Sequence, residues 1–242
     1  MTLALAALSA AAAFAVAAPD APVLAWHVTD SHLDPYYEEG IPLGAGCYCE
    51  SHAACARMPA ACVPRVTGGA GPFGEPQDNC ATPVALWSAA VEFMASTAPG
   101  VRLVFHTGDF SEAGAAAACS SSSPAQAQVL SLVNRSMSSL RAAFPNAAVF
   151  SVVANHDTVP GDVVDAGPAQ AWLYDALVEL FGATFAADVA AIETLRTGGY
   201  YATSPEPGLK VVGLNTLYWS TVNPLLKNAS SAASMAGEKH FE

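Results

Sequence analysis

Three short stretches carry residue types that bind metal ions or move protons: Thr29-Asp30-Ser31-His32, Thr107-Gly108-Asp109 and Asn155-His156-Asp157. In Asp30-Ser31-His32 a carboxylate and an imidazole stand two residues apart, so they project to one side if the strand before them continues, and they can grip one ion. Asp109 has two carboxylate oxygens and can bridge that ion to another. Asn155 offers a neutral carbonyl oxygen to the second ion. Nitrogen and oxygen ligands without thiolate suit Zn, Mn or Fe. Two such ions, roughly 3.5–4 Å apart, clamp phosphate oxygens and turn a bridging water into a nucleophile. His156 is placed to protonate the leaving oxygen, and an ordinary imidazole pKa of about 6.5 makes that easiest near or below neutral pH. Each stretch alone is weak, because Asn and Asp are turn-formers and a lone His is more often a cap or a core residue. Their recurrence in order, each just past an apolar run, is what points to a site, with Asp157 as its neighbour.

Those apolar runs read as strands: VLAWHV (23–28), VRLVFH (101–106) and AVFSVVA (148–154). Between the first two, Pro83 opens a helical pattern with Val84, Trp87, Val91 and Met94 on one face, ended by Pro99-Gly100. Between the second and third, a helix is expected from about Ala125 to Ala143, with Val129, Leu132, Val133, Met137 and Leu140 as its apolar face. Further helices are expected over Gln170–Phe181 and Ala186–Leu195. GGYYATS and LKVVGLN add two strands. Strand, helix, strand, helix, strand predicts an α/β sheet with crossover helices, in which ligands gather beyond the carboxyl ends of the strands.

Composition narrows the function. The chain has 242 residues, 52% of them hydrophobic, enough for a substantial core. A formal net charge of -12 with 9 Lys plus Arg argues against nucleic acid as a partner. Residues 1–18 read as a signal peptide, apolar and then rich in small residues before Pro19, although no basic residue leads it. A short membrane anchor is the competing reading of that segment. No later stretch suits a span, so no stable membrane span is expected once the signal is removed. Cys47, Cys49, Cys55, Cys62 and Cys80 crowd a Gly- and Pro-rich excursion over about 36–82. Their spacing matches no paired zinc knuckles, so disulfides stapling an irregular loop are expected, with the pairing open. Asn134 and Asn228 head acceptor triplets for N-glycosylation.

In this order, Asp-x-His, Gly-Asp and Asn-His-Asp resemble the calcineurin-like metallophosphoesterases. WHVTDSHLDPYY, GPFGEPQDNCATP, FHTGDF, NHDTVP, AIETLRTGGYYA and LKVVGLNT narrow the resemblance to acid sphingomyelinase and the acid sphingomyelinase-like phosphodiesterases, from about Val23 onward. The resemblance implies an α/β/β/α sandwich, incomplete at the C-terminus, with residues 23–242 as the N-terminal portion of a metallophosphoesterase domain. It implies two divalent ions, zinc favoured, with Asp30 and His32 on the first, Asp109 bridging, Asn155 on the second and His156 as general acid. Asn215 falls in a matching Leu-Asn stretch and is carried as a site neighbour, a structural role being an equal alternative. The segment from Cys47 to Cys80 matches the family's disulfide-bonded loop. A secreted or lysosome-like location follows, with small phosphodiester, nucleotide or phospholipid substrates. Oligomeric state is left open.

Departures qualify that picture. Ala154 replaces the family's Gly before Asn-His, and Ala113 stands where the family carries a histidine. The later histidine motifs that complete the family's metal shells are not matched, and His240 does not supply them. The absence of room for an amino-terminal saposin-type domain favours the sphingomyelinase-like branch and nucleotide or choline phosphodiesters. Two functions are therefore carried forward: a secreted, metal-dependent phosphodiesterase with a dinuclear zinc site, of which this chain alone is expected to show little or no activity, or a truncated, inactive homologue acting at most as a binding module.

Overall fold

The computed structural model describes residues 23–45, 63–75, 80–111, 125–165, 170–185 and 188–227. The expected signal peptide, Cys47, Cys49, Cys55, Cys62, Ala113, Asn228 and His240 lie outside the described residues. Cys80, the one described cysteine, is not a free thiol.

Three parallel strands form the sheet at the centre: β1 (Ala25–Val28), β6 (Leu103–His106) and β7 (Ala148–Ser151), in the order β1-β6-β7. Val28, His106 and Ser151 stand in one register row at the carboxyl edge, which brings the three following loops to a common rim. Each connection runs through a helix, because parallel neighbours need a crossover. The first passes through α1 (Val84–Thr97) and the second through α2 (Ala125–Ala143). The α2 boundaries are those the periodicity predicts. Its buried residues Val129, Leu132, Val133, Met137 and Leu140 recur at three- and four-residue steps, as one helix face must. On α1, Trp87, Val91 and Met94 are buried, whereas Val84 at the first turn is half-buried. Trp87 Nε1 donates to Ser139 Oγ at 2.7 Å and ties α1 to α2.

Strand alternation splits the side chains of β6 and β7 between two layers. His106 meets Trp87 of α1 edge-on on one side. On the other, Phe105 stacks on Phe150, which meets Phe185 and Tyr201. Tyr201 begins β8 (Tyr201–Glu206), which pairs antiparallel with β9 (Leu209–Gly213). The Tyr201 hydroxyl donates to Ser151 O at 2.9 Å, pinning this hairpin to the end of β7. Before it come α3 (Ala171–Phe181) and α4 (Val189–Gly198). The Asp188 carboxylate caps α4 by accepting from Ala191 N, and it also accepts from Thr203 Oγ1 of β8. The start of α4 at Val189 rather than Ala186 reflects that cap.

The excursion over 36–82 contains regular structure the sequence did not suggest. β3 (Pro42–Ala45) pairs antiparallel with β4 (Val63–Gly69), and β2 (Leu33–Asp34) runs parallel to β5 (Thr82–Pro83). Composition dominated by Gly and Pro hides strands this short, since neither residue favours a pleated surface. The whole is an α/β fold with alternating strands and helices and open sheets.

Candidate metal centre

The rim beyond β1, β6 and β7 is held by backbone hydrogen bonds before any side chain acts. Asp30 N donates to Gly108 O at 3.1 Å, His32 N to Asp109 O at 2.9 Å and Leu33 N to Phe110 O at 2.9 Å. The loop after β1 therefore runs alongside the loop after β6. β1 itself stops at Val28, and Asp30 and His32 take left-handed backbone angles, φ 53° and 39°. The expectation that they share a side because a strand continues is corrected here: the turn brings them together, not strand alternation. Asp109 is left-handed too, at φ 57°. Non-glycine residues held in that region cluster at functional sites. Gly108 precedes it at φ 91°, and a Cβ there would meet the Ala154 backbone nitrogen at 2.7 Å, so the two loops touch through a glycine.

Asp157 fixes the third loop against the second. Its side chain is fully buried and accepts three backbone N–H bonds, from Ala154 at 3.0 Å, Asp109 at 2.9 Å and Phe110 at 2.8 Å. Burial pushes its carboxyl up to about 7, the three N–H donors pull it down and the nearby Asp109 carboxylate adds to the rise. Ser111 Oγ donates to His156 O at 2.6 Å, a further tie between the same loops.

Within this frame His32, Asp109 and His156 converge. One nitrogen or oxygen from each lies within 4.8 Å of the others, a grouping that can hold a metal ion. Asp109 Oδ1 accepts from His156 N at 2.9 Å, and Asp109 Oδ2 faces His32 Nε2 at 3.6 Å. One carboxylate oxygen is thus held by the loop and the other faces the cluster. The two imidazoles meet through Nδ1 atoms 3.2 Å apart, their rings edge-on. One of these nitrogens donates to the other, the direction being set by the tautomer. Two imidazoles and a carboxylate, with no thiolate, fit Zn, Mn or Fe and leave coordination positions for water and substrate.

The other predicted residues divide. Asp30 sits beside the cluster, its Oδ1 3.6 Å from His32 Nε2, but its side chain is 55% exposed. Its carboxyl is held below the usual range, first by the Thr29 hydroxyl that donates to it and then by the His32 imidazole. Asn155 opens the 3-10 turn Asn155–Asp157, and its Nδ2 donates to Asp162 Oδ1 at 3.0 Å. Asn215 is not brought to this rim by any bond of its own. Its amide donates to Gly198 O and Tyr174 Oη, and its Oδ1 accepts from Leu217 N, capping the 3-10 turn Thr216–Trp219. Asn134 lies exposed on α2. Sequence reasoning overlooked His106 and Asp162. His106 looked like the last residue of an apolar strand, and a lone Asp seven residues past Asn155 carries no signal of its own.

No family model matches the chain. Individual proteins do. The cyclic GMP-AMP phosphodiesterase SMPDL3A of Homo sapiens is 28% identical over 211 residues, 86% of this chain and 42% of that protein. The sphingomyelinase phosphodiesterase C of Dictyostelium discoideum is 25% identical over 208 residues, again 86% of this chain and 42% of its own length. The chain is a relative of the sphingomyelinase-like phosphodiesterases. It spans less than half the length of these relatives, and 30% of the Bos taurus sphingomyelin phosphodiesterase, with which it shares 29% identity over 201 residues. Among the described residues of the chain itself, no helix is long and apolar enough to cross a membrane.

Proposed function

We propose that the chain is part of a secreted or lysosome-like, metal-dependent phosphodiesterase, with residues 23–242 contributing to one metallophosphoesterase domain. The observation that carries this reading is the convergence of His32, Asp109 and His156 from three separate loops at one sheet rim. Bound divalent ions, zinc favoured and two in number, would supply Lewis-acid polarisation of a phosphate and an activated water.

The chain's own groups divide the work. Asp109, anchored through Oδ1 by the His156 N–H, keeps Oδ2 toward His32 and would be the ligand shared by the ions. His32 and Asp30 would hold the first ion and Asn155 the second. His156 presents Nδ1 to His32, which leaves Nε2 to deliver a proton to the leaving oxygen. Substrates of this kind are nucleotide or choline phosphodiesters and phosphoanhydrides, the phosphodiesters being in keeping with the names of the relatives. The disulfide-stapled cysteine segment and glycosylation of Asn134 and Asn228 belong to the same exported setting.

The test is hydrolysis of bis(p-nitrophenyl) phosphate by metal-stripped chain with and without added zinc. Turnover by residues 1–242 alone is expected to be slight, and Asp109→Ala is expected to lower whatever zinc-dependent rate there is on the order of 100-fold or more. A chain that binds zinc but hydrolyses nothing would favour a binding module over an enzyme.

A further inference from the structure

The loop that carries Asn155 closes on itself. Asn155 Nδ2 donates to Asp162 Oδ1 at 3.0 Å, and Asp162 N donates back to Asn155 O at 2.9 Å. Thr158 Oγ1 donates to the same carbonyl at 2.9 Å and to Pro160 O at 3.0 Å. Asp162 holds a left-handed backbone, φ 65°, to make both bonds, a conformation that Asp and Asn tolerate better than other side chains.

The chemistry of this pair is asymmetric. A primary amide has a donor end and an acceptor end of nearly equal shape, and only the carbonyl oxygen ligates a cation. A carboxylate accepts and never donates when ionised. With Asp162 as the partner, the nitrogen end must turn toward it and Oδ1 must turn away. Among the described residues Oδ1 accepts no hydrogen bond, so the ligating end stays free. An Asn in place of Asp162 would have both a donor and an acceptor, and the Asn155 amide would lose its reason to choose.

We propose that Asp162 is a positioning residue: it fixes the rotamer of the Asn155 amide so that its carbonyl oxygen, and not its nitrogen, is offered to a divalent cation at the His32–Asp109–His156 cluster. This rests on the function proposed above and adds to it a residue outside the motif. Outer groups that orient a ligand in this way typically account for about 10- to 100-fold in metal affinity.

The experiment is a zinc titration of the full chain against a chromophoric chelator, with thermal unfolding recorded on the metal-free proteins. Asp162→Asn keeps the size and the left-handed backbone. It is expected to weaken zinc about 10- to 100-fold with the metal-free melting point unchanged. In an Asn155→Ala background the same substitution is expected to do nothing further, because Asp162 acts through the side chain already removed. Thr158→Val is the control, since it breaks two loop hydrogen bonds and leaves the amide contact intact. Zinc affinity unchanged in Asp162→Asn would overturn the proposal. So would an effect that persists without Asn155, or an equal loss in Thr158→Val, which would assign it to the loop. A wild-type chain that takes up no zinc would instead sink the proposed function, and this inference with it.

Discussion

Asp157→Ala is expected to destabilise the chain by about 2–6 kcal/mol, because it orphans two buried backbone N–H groups, each worth about 1–3 kcal/mol when left unpaired, and a third that is half-buried. The donors come from Ala154, Asp109 and Phe110, so one carboxylate joins two loops that share no other buried acceptor of this capacity among the described residues. A typical domain has about 5–15 kcal/mol in total, so this single change removes a large fraction of it. Asp157→Asn retains one oxygen acceptor and introduces a donor with no acceptor to meet, and an intermediate loss is expected. Urea unfolding followed by tryptophan fluorescence reads both. A loss under about 1 kcal/mol for Asp157→Ala would mean that water satisfies these groups and that the carboxylate does not fasten the loops.

The second large effect is a pH dependence centred on His106. This imidazole is buried between Trp87 and Phe110, stacked on Phe110 with ring centroids 4.0 Å apart. Its Nδ1 accepts from Gly108 N at 3.2 Å, so Nε2 carries the proton and the ring is neutral, with Nε2 lacking a partner among the described residues. Burial pushes its pKa down to about 3. In the unfolded chain the ordinary value is about 6.5. As pH falls through the window from about 6.5 to about 3, the unfolded chain takes up a proton that the folded chain refuses. Stability from this group is therefore complete above about 6.5 and is lost toward pH 3, by on the order of 4 kcal/mol. Asp157 runs the other way: its raised carboxyl binds a proton in the folded state first, so its contribution is present at low pH and is lost as pH rises through about 7.

The comparison of wild type with His106→Phe cancels Asp157 and isolates the histidine. Phe fills the stack but cannot accept from Gly108 N, so His106→Phe is expected to be the less stable of the two at pH 7.5. The gap should close and then reverse as pH falls toward 4, since only the wild type carries the buried imidazole. Unfolding free energies at six pH values would read this directly. A gap constant with pH would show that His106 is protonated in the folded state as readily as in the unfolded one.

Periodicity made much of this fold legible. The bounds of α2, the ends of β1 and β6 and the rim where the loops meet follow from where apolar runs stop, whereas β7 ends at Ser151, three residues before its apolar run does. Strand order was not read from the sequence, because the same run of strands and helices admits more than one order of parallel strands. The short pairs β2–β5 and β3–β4 were not legible, since Gly, Pro and polar residues interrupt their apolar side chains and their pairing depends on distant partners. At the site, residue types identified His32, Asp109 and His156, but not the turn that unites them. Left-handed angles at Asp30, His32 and Asp109 are imposed by hydrogen bonds between loops that lie roughly eighty residues apart in sequence. Asp157 was visible as a neighbour of the motif, whereas its role as a triple acceptor required the structure. Asn215 matched a family stretch, yet its amide serves a buried network with Tyr174 and the Gly198 carbonyl.

The most direct test of the metal centre is an anomalous difference map from a crystal of the full chain soaked in zinc, collected above and below the zinc edge. A peak is expected within about 2.0–2.2 Å of an imidazole nitrogen of His32 and of Asp109 Oδ2, with His156 adjoining it. Zinc bound only at sites away from these three loops, with this cluster empty in an otherwise well-ordered crystal, would contradict it.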